Sequence, residues 1–130
     1  MVIQMRNVEI EVLDDEGLEL VASLIALGVT RNEASLIVYL SGVDVATSKE
    51  IEAGTGLRQP EVSTGMKMLR SRDWIREEEI KSERKGRPMK VYALKVALAE
   101  IVNHFEGEQA RYTAQAMESI QKLRGLVPSL

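Results

Sequence analysis

The sequence predicts a mainly α-helical protein with one small β-hairpin, an α+β arrangement that ends in a long helix. Three observations support this prediction. Apolar residues recur at three- and four-residue intervals over most of the chain. They alternate with polar residues near positions 74–93, and they follow a near-heptad spacing from Leu98 to Val127. With 130 residues, the chain can bury one modest core.

The composition argues against several classes of protein. Cysteine is absent, so disulfides, thiolate metal sites and thiol nucleophiles are excluded. His104 is the single histidine, and a zinc site normally needs three or four good ligands. No apolar run approaches the roughly 18 residues that span a bilayer, and a cytoplasmic protein is expected. Without a nucleophile motif, we expect neither enzymatic activity nor a cofactor.

Charge is unevenly distributed along the chain, whose net charge is −3. Residues 58–72 contain four cationic side chains and one glutamate, and residues 80–90 contain five and one. The remainder is therefore strongly acidic. Segregated charge produces a local field even when the total is slightly negative, so these two stretches are candidates for contact with nucleic acid.

The first part of the chain is predicted to be an arm followed by a helix. Residues 1–13 alternate apolar and acidic side chains, which fits a strand but leaves a short helix open. A helix then runs from Asp14 to Leu27 and ends at Gly28. Its inward stripe is expected to be Leu18, Val21, Leu24 and Ile25.

Two capping boxes predict the next two helices. Thr30 with Glu33 begins a helix that ends at Gly42, and Thr47 with Glu50 begins a short one. The short helix should run through residues 51–53 and break at 54–56, with its two glycines. Between the two helices, residues 45–46 form at most a short extended piece.

The fourth helix follows Pro60, which suits a first helical turn. Val62, Met66 and Leu69 form its inward stripe. A step of about 100° per residue then puts Pro60, Thr64, Lys67 and Ser71 on the opposite side. Glu61, Ser63 and Met68 lie on the flanks.

A hairpin and a long helix complete the chain. Residues 74–80 and 89–93 are predicted as strands around the polar loop 81–88. Trp74 is expected to pack in the core, and Glu77, Glu78 and Glu79 to form a solvated strand face. The final helix of about 30 residues would be about 45 Å long, and its near-heptad apolar seam is interrupted around Gly107. Its stripe is too long for a small domain to cover, so we expect dimerisation with its twin through Leu98, Ile101, Phe105, Tyr112, Ala116, Ile120 and Leu123.

This order of elements is typical of a winged helix-turn-helix with a long C-terminal dimerisation helix. In such a motif the second helix enters the DNA major groove and the hairpin loop, or wing, contacts the backbone or the minor groove. We therefore predict a DNA-binding domain over residues 1–95, including the arm, and a dimerisation helix over 96–130 in the same compact unit. The expected DNA contacts are Arg58, Gln59, Pro60, Ser63, Thr64, Lys67, Ser71, Arg84, Lys85 and Arg87.

Several short motifs resemble known families of regulators. The run from Leu57 to Ser63, followed by Leu69 and Trp74-Ile75, resembles the recognition helix of ArsR-type winged-helix regulators. Gly86-Arg87-Pro88 with Tyr92, and residues 27–34, resemble the MarR and TrmB-like groups. The resemblance covers roughly residues 20–95 and implies a dimeric repressor or activator.

The chain also departs from these families. Many ArsR-type proteins carry histidine where this chain has Gly65, which implies that one DNA contact is missing. The cysteines of their metal sensors are absent, and the chain is too short to hold the additional C-terminal domain of TrmB-type sugar sensors. The resemblance therefore supports DNA binding but leaves any small-molecule effector unknown.

The sequence thus predicts a sequence-specific, homodimeric regulator that binds double-stranded DNA, with repression favoured over activation. The alternative is a winged-helix module that docks proteins, which would need an exposed apolar patch on the fourth helix. A binder of RNA or single strands would need aromatic stacking platforms, and aromatic residues make up only 4% of the chain.

Overall fold

The computed structural model describes residues 13–80 and 88–127. These residues form helices with one β-hairpin and a long final helix, which confirms the predicted fold class. The first twelve residues of the arm lie outside the described residues. The elements are α1 (Asp15–Ala26), α2 (Arg31–Ser41), α3 (Ser48–Thr55), α4 (Gln59–Ser71), β1 (Ile75–Ile80), β2 (Met89–Leu94) and α5 (Leu98–Leu126).

Side-chain caps begin the first three helices. Asp14 Oδ1 accepts from the Gly17 amide at 2.8 Å in α1. The box at α3 is complete: Thr47 Oγ1 accepts from the Glu50 amide at 3.2 Å, and the Thr47 amide donates to Glu50 Oε1 at 2.9 Å. At α2, Thr30 accepts from the Glu33 amide, but the Glu33 carboxylate binds Arg72 instead of returning to the cap.

The core is built around α2, whose residues from Glu33 to Leu40 are all buried. This helix packs against α1, α3, α4 and β2, which explains why it has no solvent-facing stripe in its centre. Residues of α1 meet α2 through Val21 and Leu24. The prediction that Leu18 and Ile25 face inward is wrong, because their side chains are 54% and 41% exposed.

The third helix is longer than predicted. It continues through Gly54, which is buried, and Thr55, and it ends at Gly56. Gly56 has φ +78°, a left-handed conformation that glycine adopts without steric cost. Of the two glycines, Gly54 and Gly56, only Gly56 therefore ends the helix.

The hairpin is antiparallel and regular. Ile75 pairs with Leu94 at its base, and Ile80 pairs with Met89 towards the loop. Ala46 adds an isolated bridge to Tyr92 through hydrogen bonds of 2.9 and 2.8 Å, so the predicted extended piece is confirmed. Residues 81–87 of the loop lie outside the described residues.

Contacts divide the chain into two compact units, one up to Leu98 and one from Ala99 onwards. The second unit is essentially α5, which runs without a break through Gly107. A single glycine costs a helix about 1 kcal/mol relative to alanine, which 29 hydrogen-bonded residues can absorb. In residues 13–80 and 88–127, no helix has the length and apolar character needed to cross a membrane.

Candidate nucleic-acid interface

A helix-turn-helix is formed by α3, α4 and the residues between them. The turn is held at its centre by Leu57, which is 3% exposed and whose amide donates to Thr55 Oγ1 at 3.2 Å. Arg58 is the N-cap of α4, and its amide donates to Glu61 Oε1 at 2.8 Å. This bond fixes the first turn of α4 while leaving the Arg58 side chain exposed.

The two faces of α4 differ sharply in chemistry. Val62, Met66 and Leu69 are buried, as the sequence predicted. The side chains on the opposite face are short, polar or cationic, and an α-helix with such a face fits a major groove about 12 Å wide. All seven residues of this helix and its cap that were predicted to contact DNA are exposed: Arg58, Gln59, Pro60, Ser63, Thr64, Lys67 and Ser71.

Two hydroxyl groups on this face are partly committed within the helix. Thr64 Oγ1 donates to the Pro60 carbonyl at 3.0 Å, and Ser71 Oγ donates to the Met68 carbonyl at 2.7 Å. Each oxygen keeps its lone pairs and can still accept a hydrogen bond. Donation to a base or phosphate by these two groups would require the internal bonds to be exchanged.

The cations of residues 58–72 fall into two sets. Arg70 lies 3.5 Å from Glu77, and Arg72 is paired with Glu33. Arg58 and Lys67, by contrast, form no ion pair with any residue of 13–80 or 88–127. The positive charge that α4 can offer a ligand therefore comes chiefly from its N-cap and the middle of its outer face.

The two strands of the hairpin are joined by a further ion pair. Lys90 Nζ lies 3.2 Å from Glu77 Oε2, and this hydrogen bond, with the negative charge of Glu77, raises the pKa of Lys90. Glu77 thus links a cation of α4 with one of β2. Glu78 is paired with Arg76 at 2.8 Å, and both side chains are about half exposed. The predicted contacts at the tip, Arg84, Lys85 and Arg87, lie outside the described residues.

Gly65 does not belong to the outer face of α4. It is buried, and a Cβ added there would overlap Cδ1 of Leu36 and lie 3.4 Å from the Asn32 carbonyl oxygen. Gly65 therefore lies at the contact between α4 and α2. The inference that glycine here removes a DNA contact is therefore wrong, because a side chain at 65 would point into the core.

One pair of residues was missed by the sequence reasoning. Glu33 was interpreted as part of a capping box and Arg72 as one of the basic residues of 58–72, but the two form an ion pair beneath the C-terminal end of α4. The guanidinium of Arg72 also lies 5.0 Å from the ring centre of Trp74, which is half-buried rather than fully in the core. No local pattern in the sequence indicates a pair of residues 39 positions apart.

The residues predicted for dimerisation differ in exposure. Ile101 and Phe105 are buried, and Leu98 is half-buried. The remaining four, which all lie in the second half of α5, are exposed: Tyr112, Ala116, Ile120 and Leu123.

Comparisons with known proteins give a likeness in fold. No protein-family model matches the chain, and no curated protein matches it. A solved structure described as a possible transcriptional regulator from Methanosarcina mazei Go1 is similar, with a TM-score of 0.56 and 14% identity over 81% of this chain and 86% of that one. This likeness supports the winged-helix fold.

Two further solved structures are more distant. The Staphylococcus aureus MepR–DNA complex gives a TM-score of 0.46 and 17% identity, over 86% of this chain and 94% of the other. An apo form of a Lactococcus lactis ZitR mutant gives a TM-score of 0.40 and 17% identity, over 87% of this chain and 79% of the other.

Proposed function

We propose that this protein is a non-enzymatic regulator of transcription that binds double-stranded DNA through α4 as a homodimer, with repression favoured. The observation that carries the proposal is the outer face of α4, where every predicted contact is exposed and none is a bulky apolar group. The similar fold of a possible transcriptional regulator is consistent with it.

The roles of the individual residues follow from their positions. Arg58 and Gln59 stand at the start of α4, the end of a recognition helix that approaches base edges and phosphates. Lys67 lies two turns further along, with an ammonium that can reach guanine or a phosphate. Ser63 and Thr64 can accept or donate hydrogen bonds at base edges. Arg84, Lys85 and Arg87 would add phosphate or minor-groove contacts from the wing.

The competing proposal, a protein-docking module, needs an apolar surface on α4. The large apolar side chains of this helix are buried, except for Met68, which is half-buried. Such a surface is too small for a stable protein interface, which buries about 800 Å² on each partner. The chemistry of α4 therefore favours DNA over a protein partner.

The test begins with selection of bound sites from a random pool of DNA duplexes. Fluorescence anisotropy then compares the selected duplex with its single strand and with Lys67→Ala. The matched control is Lys95→Ala, which also removes one exposed ammonium, but one already paired with Asp73 at 2.6 Å. We expect tight binding of the duplex only, and a loss for Lys67→Ala of roughly 5- to 100-fold. Equal affinity of Lys67→Ala and Lys95→Ala would locate the site away from α4.

A further inference from the structure

The part of α5 from Gln109 onwards is an amphipathic helix whose apolar side chains are exposed. From Gln109 to Val127 every side chain is exposed. Six of these are large and apolar, with 42% to 71% of their surface accessible: Tyr112, Met117, Ile120, Leu123, Leu126 and Val127. In proteins, most of the stability of a helix comes from the packing of its apolar face. This part of the chain therefore requires a partner.

We propose that this partner is α5 of a second copy, and that the two helices pair antiparallel about a two-fold axis near Ala116. The inference rests on the homodimer of the proposed function and adds the orientation, the register and the ion pairs. It depends on two features of α5: the line of its apolar face and the order of its charges.

A seam runs along the helix through Tyr112, Ala116, Ile120 and Leu123, whereas Met117 and Leu126 lie about 80–100° to either side of it. With about 100° per residue, Gln109, Ala116 and Leu123 lie almost directly above one another, seven residues apart. Tyr112 and Ile120 lie beside this line, on either side of Ala116. Ala116 is the smallest of these side chains, and it would allow two helices to approach closely at the centre of the seam.

The charges beside the seam are divided by sign. Glu106 and Glu108 lie in the first half of α5, whereas Lys122 and Arg124 lie in the second. Glu106 and Arg124 border one edge of the seam at about 80° from its line, and Glu108 and Lys122 lie on the other side at about 80° and 120°. The remaining charges, Glu100, Arg111 and Glu118, project from the opposite side of the helix.

This order of charges distinguishes the two possible orientations. A parallel pair would put each glutamate beside its own copy and each cation beside its own copy, which is destabilising. An antiparallel pair puts glutamates beside cations on both edges. Within the described parts of the chain, Glu106, Lys122 and Arg124 make no ion pair. Glu108 lies 3.3 Å from His104, and its carboxylate retains capacity for a second donor.

Both pairs of charges specify the same register. The midpoint between Glu106 and Arg124 is Gln115, and so is the midpoint between Glu108 and Lys122. Gln115 precedes Ala116, the centre of the apolar seam. A two-fold axis at Ala116 also places Leu123 beside Gln109 of the second copy. Charge and apolar patterns thus agree to within one residue, or about 1.5 Å along the helix.

Disulfide trapping tests the orientation directly, because the chain contains no cysteine. Gln109→Cys and Leu123→Cys are made as separate variants, both at exposed positions. With the axis at Ala116, residues 109 and 123 of different copies lie at about the same level along the helices, whereas like positions are about 21 Å apart. A disulfide requires Cα atoms within about 7 Å.

The expected result is a disulfide dimer only when the two variants are mixed and oxidised. Ala116→Cys, close to the axis, should form a dimer alone. Efficient dimer formation by Leu123→Cys alone would mean a parallel pair and would overturn the proposal. Absence of a disulfide in every sample would overturn it as well.

Charge reversal provides an independent measurement by sedimentation. Lys122→Glu with Arg124→Glu leaves only acids beside the seam. The dimer Kd at low salt should rise roughly 10- to 100-fold. Adding Glu106→Lys with Glu108→Lys should restore the antiparallel dimer. A parallel dimer would respond to neither change, since like charges face each other throughout.

These measurements do not depend on DNA. A dimer trapped through residues 109 and 123 that binds no duplex would refute the proposed function and leave the helix pairing intact. A chain that binds its duplex but shows no antiparallel disulfide would refute the pairing and leave DNA binding intact.

Discussion

Arg72 Nε lies 2.5 Å from Glu33 Oε2, so the C-terminal end of α4 is joined to the first turn of α2 by a hydrogen-bonded ion pair. The Glu33 side chain is 1% exposed and that of Arg72 is 25% exposed. A carboxylate this deep in the core needs a charged partner. The same guanidinium lies over Trp74, directly before β1. One residue therefore contacts α2 and the start of the hairpin.

Arg72→Ala should strongly destabilise the protein, since it leaves the Glu33 carboxylate buried without its partner. The loss in unfolding free energy should be about 3 kcal/mol, measured by urea denaturation. Arg70→Ala is the matched control, because Arg70 is about half exposed and its contact with Glu77 is 3.5 Å. That change should cost less than about 1 kcal/mol. Similar losses for both variants would argue against a structural role for the buried pair.

Gly65→Ala should also destabilise the fold, because the new methyl group would overlap Cδ1 of Leu36. Overpacking of this kind costs about 1–3 kcal/mol. Gly107→Ala is the comparison: it is also inside a helix, but a Cβ there meets nothing within 4 Å. It should stabilise α5 by up to about 1 kcal/mol. Thermal unfolding monitored by circular dichroism measures both, and a stabilising Gly65→Ala would contradict the close approach of α2 and α4.

Asp73 has a positive φ of 63°, a left-handed conformation that is unfavourable for most side chains. Asp73→Gly and Asp73→Ala both remove the carboxylate that binds Lys95. The glycine variant should nevertheless be more stable than the alanine variant by about 1 kcal/mol, since the left-handed backbone conformation is sterically unfavourable for alanine but not for glycine. Equal unfolding free energies would show that the turn relaxes to another conformation.

Lys67→Ala combined with Thr64→Ala should relax the choice of bases, because both residues lie on the outer face of α4. Discrimination between the preferred and a substituted base pair should fall by about 1–3 kcal/mol at the contacted position. Repeating the site selection with this variant measures the change. If the selected sequence keeps its information content, base recognition lies in other residues.

Arg84→Ala with Arg87→Ala should weaken binding to all duplexes alike and reduce its dependence on salt. If a dimer makes about 6–10 phosphate contacts, affinity should fall about 10³- to 10⁵-fold between 50 and 200 mM salt. Each phosphate contact removed lowers the slope of log affinity against log salt by about 1. Two half-sites about 34 Å apart are expected in the bound duplex. An unchanged slope would show that the wing does not contact the phosphates of the bound DNA.

Much of the fold could be predicted because the signals are local. The box at Thr47 and Glu50 and the alternation of Val91 and Ala93 each depend on residues within a few positions of each other. The exposed face of α4 was also predictable, since the 100° rotation per residue follows from helix geometry. The DNA contacts assigned to that face remain a prediction.

The errors have a common cause, which is that a local sequence pattern does not show how neighbouring elements pack. Leu18 and Ile25 repeat with helical spacing, yet they are exposed because the face that α1 presents to α2 is narrow. Comparison with the ArsR-type sequences suggests that a DNA contact is missing at Gly65. In the structure, the close packing of α2 against α4 leaves no room for a larger side chain at this position. Gly54 suggests a break, whereas α3 continues through it to Thr55.

The sequence by itself determined where helices and strands begin, which face of α4 is polar, and how charge is ordered along α5, because backbone geometry converts spacing into direction. Only the tertiary structure decided that Glu33 binds Arg72, that Arg70 and Lys90 share Glu77, and that Arg58 and Lys67 are the cations of α4 and its N-cap without an ion pair among the described residues. Those outcomes depend on distances between residues remote in the chain, and packing alone sets such distances.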